Sequence, residues 1–169
     1  MNKPEKLKLL RNFKEDRLTG QVIIPLLEKM GFKNITLTHG PLEKGKDLWF
    51  YKENDFEERE YTGVQVKAVD IHGSAAKTGN AGEILTQAQQ AFTHEFRDLY
   101  DNKTKHIDKY IVMTSGEIAE TAKESIDGQL KALSCYKLIN FFDGNKLVDL
   151  VDVYGCVLGS CFFGENIII

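Results

Sequence analysis

Cysteine, proline and tryptophan are all scarce in this chain: its 169 residues hold three cysteines, three prolines and a single tryptophan, Trp49. Cys135, Cys156 and Cys161 form an odd set without CxxC spacing, which excludes a disulfide-stapled scaffold or a zinc ribbon and points to a reduced, intracellular protein. No basic, then apolar, leader opens the sequence, so a cytoplasmic location is expected. The four histidines, His39, His72, His94 and His106, stand too far apart for an HExxH pair or a zinc knuckle. Long apolar runs are missing too. The most apolar segment, residues 153–169, is broken by glycines and by Glu165 and Asn166, and no membrane span is expected. Nor is there an excess of one charge: a net charge of -3 excludes a general polyanion binder of the histone kind, while leaving room for a local basic patch.

What is present fits an ordinary globular protein. With 42% hydrophobic and 28% charged residues, the chain is expected to form one domain over 1–169. Its core is expected at about 18–151, preceded by an N-terminal helical segment (1–16) and followed by an apolar tail (153–169). The tail is expected to pair as an extra strand or to cover an interface. Residues 4–13 place Leu7, Leu9, Leu10 and Phe13 among five basic side chains, an amphipathic helix whose basic face is either solvated or a DNA contact. Residues 19–30 have helical periodicity closed by Gly31, with Pro25 in the first turn or at a kink.

Three short strands are predicted at 34–38, 47–52 and 63–69. A loop over 70–81 and a helix over 82–100 follow, with Ile84, Leu85, Ala88, Ala91, Phe92, Phe96 and Leu99 as its buried stripe. Residues 109–114 read as a buried strand, Ser115 as the cap of a helix over 117–133, 136–142 as a strand and 145–154 as a short helix. A crossover helix between the third and fourth strands favours parallel pairing. The expected fold is therefore α/β, an αβββαβ core whose mixed central sheet is flanked by helices.

The segment from Gly45 to Ala68 carries the chemistry. A turn, Gly45-Lys46-Asp47, leads into one strand; an acidic link over 53–60 forms the far end of a hairpin; then comes Gly63-Val64-Gln65-Val66-Lys67-Ala68. Strand alternation puts Gln65 and Lys67 on one face and Val64 and Val66 on the other. If Asp47 opens the neighbouring strand, a carboxylate, an amide oxygen and an ammonium meet at one sheet edge. That set suits a hard divalent cation and phosphodiester hydrolysis. Each residue also has a plain explanation: Asp47 as a turn residue, Lys67 as an edge-strand charge, Gln65 as a cross-strand hydrogen-bond partner. Gly73-Ser74-Ala75-Ala76-Lys77-Thr78 imitates a phosphate-binding P-loop but lacks the glycine before Lys-Thr and the required spacing.

With Asp opening the second strand and Gln-x-Lys on the third, this order resembles the PD-(D/E)xK nuclease superfamily, the restriction endonuclease-like fold. Leu27-x-x-Met30-Gly31-Phe32, the glutamine at Gln65 and Val112-Met113-Thr114-Ser115-Gly116 resemble its Mrr-type branch. The resemblance implies a Mg2+ (or Mn2+) dependent endonuclease acting on DNA, in restriction or defence. By the same resemblance Asp47, Gln65 and Lys67 are catalytic, and Asp47, Gln65 and the Val66 backbone carbonyl hold the metal. Branch members often add an acidic residue from the first helix. Gln21 falls closest to that position, with Glu15 and Glu28 nearby. Lys46, Lys77, Gln87 and Gln90 are the candidate nucleic-acid contacts. A catalytically idle DNA-binding module of the same fold, and a non-enzymatic assembly protein, are the alternatives. With no specificity domain visible, a homodimer or a partner specificity subunit is an open expectation.

Overall fold

The computed structural model describes residues 1–38, 44–73, 80–132 and 138–156. Its centre is a five-stranded mixed sheet in the spatial order β1-β2-β3-β6-β7. β1 (Lys33–Leu37), β2 (Leu48–Glu53) and β3 (Arg59–Lys67) are antiparallel neighbours, while β6 (Lys109–Thr114) and β7 (Leu138–Phe142) run parallel to β3. α4 (Ala81–Thr93) makes the crossover to β6, so the mixed α/β core matches the expected order. Among the described residues no helix is long and apolar enough to cross a membrane.

Both faces of the sheet are buried, and strand alternation sorts the side chains between them. Trp49, Tyr51, Tyr61, Tyr110 and Val112 pack with α4 and with α5 (Glu120–Lys131). Leu48, Phe50, Val64, Val66 and Met113 pack with α1 (Lys3–Arg11), α3 (Ile24–Lys29) and α6 (Gly144–Val153). The basic face of α1 partly turns inward to α6: Lys3 pairs with Asp149 at 2.6 Å, and Lys6 with Asp152. Asn2 and Glu5 close a capping box on α1, and Asp143 caps α6 through the Lys146 N–H at 2.9 Å.

Four local expectations need correction. The helix expected over 82–100 stops at Thr93: His94 is extended, and Phe96–Arg97 instead forms β4, paired with Thr104–Lys105 as β5. Phe96 leaves the helical stripe to pack on Trp49, with ring centroids 4.6 Å apart, and Leu99 is 79% exposed. Ser115 does not cap α5. Ile118 bridges Ile71 in extended form, so the helix begins only at Glu120 with Ala119 ahead of it. The predicted helix over 19–30 is composite: α2 (Glu15–Leu18) runs into a π-helical segment, Thr19–Ile23, and then α3, where Pro25 sits in the first turn. The π turn closes with Ile24 N–H donating to Thr19 C=O, immediately ahead of Pro25, which has no N–H to donate. Finally, Glu53 and Arg59 still pair, so the hairpin loop is shorter than the acidic link expected over 53–60. The expected tail falls almost wholly outside the described residues, as do His39, Cys135 and Cys161.

Candidate active site

Asp47 lies one residue before β2, and the backbone fixes it from both sides. Its N–H donates to Val64 C=O at 2.8 Å, and its C=O accepts from Thr38 N–H at 2.8 Å. The preceding turn is anchored as firmly. The Tyr110 hydroxyl donates to Gly45 C=O, and the Thr38 hydroxyl to Lys46 C=O. Gly45 is required there: its φ is +81°, and a Cβ would stand 1.9 Å from the Gln87 carbonyl oxygen of α4.

From this anchored position Asp47 Oδ2 accepts two hydrogen bonds from β3, one from Val66 N–H at 2.6 Å and one from Gln65 Nε2 at 2.7 Å. Gln65 thus does act as a cross-strand partner, and it acts on Asp47. Lys67, 8% exposed, donates to Glu83 Oε1 at 2.8 Å. Glu83 stands in the first turn of α4, where Asn80 caps the helix by accepting Glu83 N–H at 2.7 Å. The structure therefore brings Asp47, Gln65 and Lys67 together at the end of the β2–β3 hairpin. They line a cleft of about 340 Å³.

α2 and the π-helical segment form the opposite wall, contributing Glu15, Asp16, Thr19 and Gly20. Burial raises the Glu15 carboxyl above its ordinary range; Lys67 opposes the rise, while Asp47, Asp16 and Glu83 add to it. By sequence Gln21 falls closest to the expected acidic position, with Glu15 and Glu28 nearby; of the three, Glu15 lines the cleft and Gln21 and Glu28 do not. Glu83 escaped sequence reasoning altogether. Its signal was Asn80-x-x-Glu83, which reads as a helix start and says nothing of Lys67.

The expected nucleic-acid contacts fare unevenly. Lys46 is fully buried and cannot meet a surface phosphate; its Nζ lies 5.2 Å from the Phe96 ring centroid, and it has no hydrogen-bond partner among the described residues. Gln87 lines the cleft, whereas Gln90 is exposed on α4 away from it. Lys77 lies outside the described residues.

The donors around Asp47 are hard oxygens, carboxylate and amide, which suit Mg2+ or Mn2+ better than softer ions. Among the described residues, however, no three of His, Cys, Asp and Glu stand close enough to form a ready-made metal cluster. A cation here would depend on the amide, on backbone oxygen, on water and on substrate phosphate.

Neither curated proteins nor solved structures yield a match to this chain. A family model described as a restriction endonuclease, the Mrr catalytic domain, matches residues 12–151, a span that includes every element lining the cleft. The chain belongs to the Mrr-type restriction endonuclease family, and its domain is a restriction-type nuclease domain.

Proposed function

We propose that the protein is a metal-dependent endonuclease that hydrolyses DNA phosphodiester bonds at the Asp47–Gln65–Lys67 cleft, in restriction or defence against foreign DNA. The observation that carries this reading is the convergence of Asp47, Gln65 and Lys67 with Glu15 around one cleft, Glu83 pairing with Lys67. Asp47, Gln65, the Val66 carbonyl and Glu15 would hold Mg2+ or Mn2+. The Val66 carbonyl belongs to this set because the N–H of the same residue already faces Asp47, and both groups of an extended residue point to the same edge. When bound, the ion would polarise a phosphoryl oxygen and lower the pKa of an attacking water.

The chain's own residues have separable tasks. Asp47 is held with one oxygen accepting two donors, which fixes its orientation before any ligand arrives. Lys67 supplies a fixed positive charge toward a phosphate that gains negative charge in the transition state. Glu83 holds that ammonium in place. Val64 and Val66 bury the opposite face of β3 completely and keep the strand from shifting register.

Nicking of supercoiled plasmid in Mg2+ or Mn2+ tests the reading. Asp47→Ala and Lys67→Ala should each abolish it; metal-dependent nicking that survives both substitutions would refute the assignment. A second reading, a DNA-binding domain without catalysis, is favoured by one observation: Asp47 Oδ2 is already occupied by two donors and Lys67 by Glu83. DNA binding without nicking in either metal would support it.

A further inference from the structure

A second hollow, about 650 Å³, opens beside the catalytic cleft, and the two share Leu37 and Thr38 as a common wall. That volume falls within the roughly 300–1,000 Å³ of ordinary small-molecule sites. Its aromatic lining is mainly the half-buried Phe96 ring; Trp49, only 4% exposed, stands in tilted contact with it, at 45°. Leu37, 43% exposed, and Leu99, 79% exposed, bring apolar surface to its rim.

Positive charge surrounds this apolar interior. Lys44 and Arg97 line it and are both exposed; Lys44 Nζ donates to the Glu95 backbone carbonyl at 3.2 Å, and Arg97 has no ion pair among the described residues. The one acidic side chain on the lining among the described residues, Glu95, lies 3.2 Å from His106 Nε2. Behind the Phe96 wall lies the buried Lys46 ammonium, which has no hydrogen-bond partner among the described residues.

Aromatic walls, an apolar rim and flanking cations match a nucleotide, whose base packs on rings and whose phosphate seeks cations. A base stacked in a duplex cannot enter such a hollow; an unpaired or extruded one can. We propose that this hollow receives one unstacked nucleotide of the DNA strand that passes through the catalytic cleft. The proposal rests on the nuclease reading above, which supplies the strand, and it makes DNA with unpaired or readily extruded bases the preferred substrate.

Trp49 is the only tryptophan, and its contact with the Phe96 ring, 4.6 Å between centroids, lets its emission report occupancy. The test titrates the protein, in EDTA to prevent cleavage, with three probes: a fully paired duplex, the same duplex carrying one bulged adenine, and free deoxyadenosine monophosphate. Anisotropy of the labelled DNA is read in parallel. Trp49 emission should fall with the bulged duplex and stay level with the paired one. Arg97→Glu, at an exposed position that leaves the fold intact, should weaken bulged-duplex binding by about tenfold or more and paired-duplex binding by under about threefold. DNA binding by anisotropy with silent Trp49 would overturn the proposal, as would unchanged affinity in Arg97→Glu. Equal quenching by the free mononucleotide would also overturn it, making the hollow a mononucleotide site. If no DNA binds even at low salt, the nuclease reading itself fails and this proposal fails with it.

Discussion

Lys67 at the end of β3 and Glu83 in the first turn of α4 form an ion pair at 2.8 Å, joining the hairpin that carries Asp47 to the crossover helix. Lys67 has two rotatable methylenes beyond Cγ, and an unanchored ammonium would sample many positions. Glu83→Gln should therefore lower kcat about tenfold with little change in KM, while Lys67→Ala should lose about 100-fold or more. Single-turnover plasmid nicking separates these effects. Equal losses in the two variants would mean that Glu83 does more than position the lysine.

Glu15 couples stability to the site in the opposite sense. Its carboxyl is raised, chiefly by burial, so the folded state binds its proton more tightly than the unfolded chain. Its contribution to stability is therefore full below the ordinary value of 4.5 and lost as pH rises through the higher folded value. At neutral pH, above the ordinary 4.5 of the unfolded chain, Glu15 is therefore a cost to stability. Glu15→Gln should raise Tm at pH 7 by about 2 °C, a gain that disappears near pH 4, while reducing metal-dependent nicking. Thermal melts at the two pH values, without metal, check the sign.

The parts of the fold and site that could be read in advance were those with a local signature. β2 and β3 announced themselves by alternation, and Asp47, Gln65 and Lys67 by their positions on the hairpin, because register follows from a period of two. The failures were tertiary. Phe96 and Leu99 continued a helical period past Thr93, yet Phe96 packs better on Trp49, and pairing of β4 with β5 overrode the local pattern. The π turn that follows α2 leaves no mark in composition. Nor does a glutamate three residues after an N-cap reveal that a lysine 16 positions earlier will reach it.

Lys46 is a second functional-looking residue that the structure reassigns. It is fully buried, its ammonium has no hydrogen-bond partner among the described residues, and burial pushes its pKa down to about 8. A lowered lysine pKa means that the unfolded chain binds the proton more tightly. Stability should fall as pH drops from the ordinary 10.5 to about 8 and then level off. Lys46→Met keeps the stem and removes the charge. It should stabilise the protein at pH 7 by roughly 2–3 kcal/mol and flatten the pH dependence between 8 and 10.5. Urea unfolding at pH 7 and pH 10 measures both. No gain at pH 7 would mean that the ammonium finds compensation in the aromatic ring beside it.

Gly45 tests whether the turn, rather than the strands, sets the position of Asp47. Its φ of +81° is one that side chains rarely adopt, and a Cβ would meet the Gln87 carbonyl at 1.9 Å, a clash that only movement of the turn or of α4 can relieve. Either movement breaks a constraint on the site. The turn carries the Tyr110 anchor on Gly45 and the Thr38 anchor on Lys46, and α4 carries Glu83. Gly45→Ala should cost about 3 kcal/mol or more and lower Tm by roughly 6–12 °C. The decisive reading is activity below the lowered melting point. If the turn sets Asp47, nicking per folded molecule should drop at least as far as in Glu83→Gln, since both the carboxylate and the helix bearing its partner are displaced. Full activity in the folded fraction would place the control of Asp47 in its bonds to Val64 and Val66 instead.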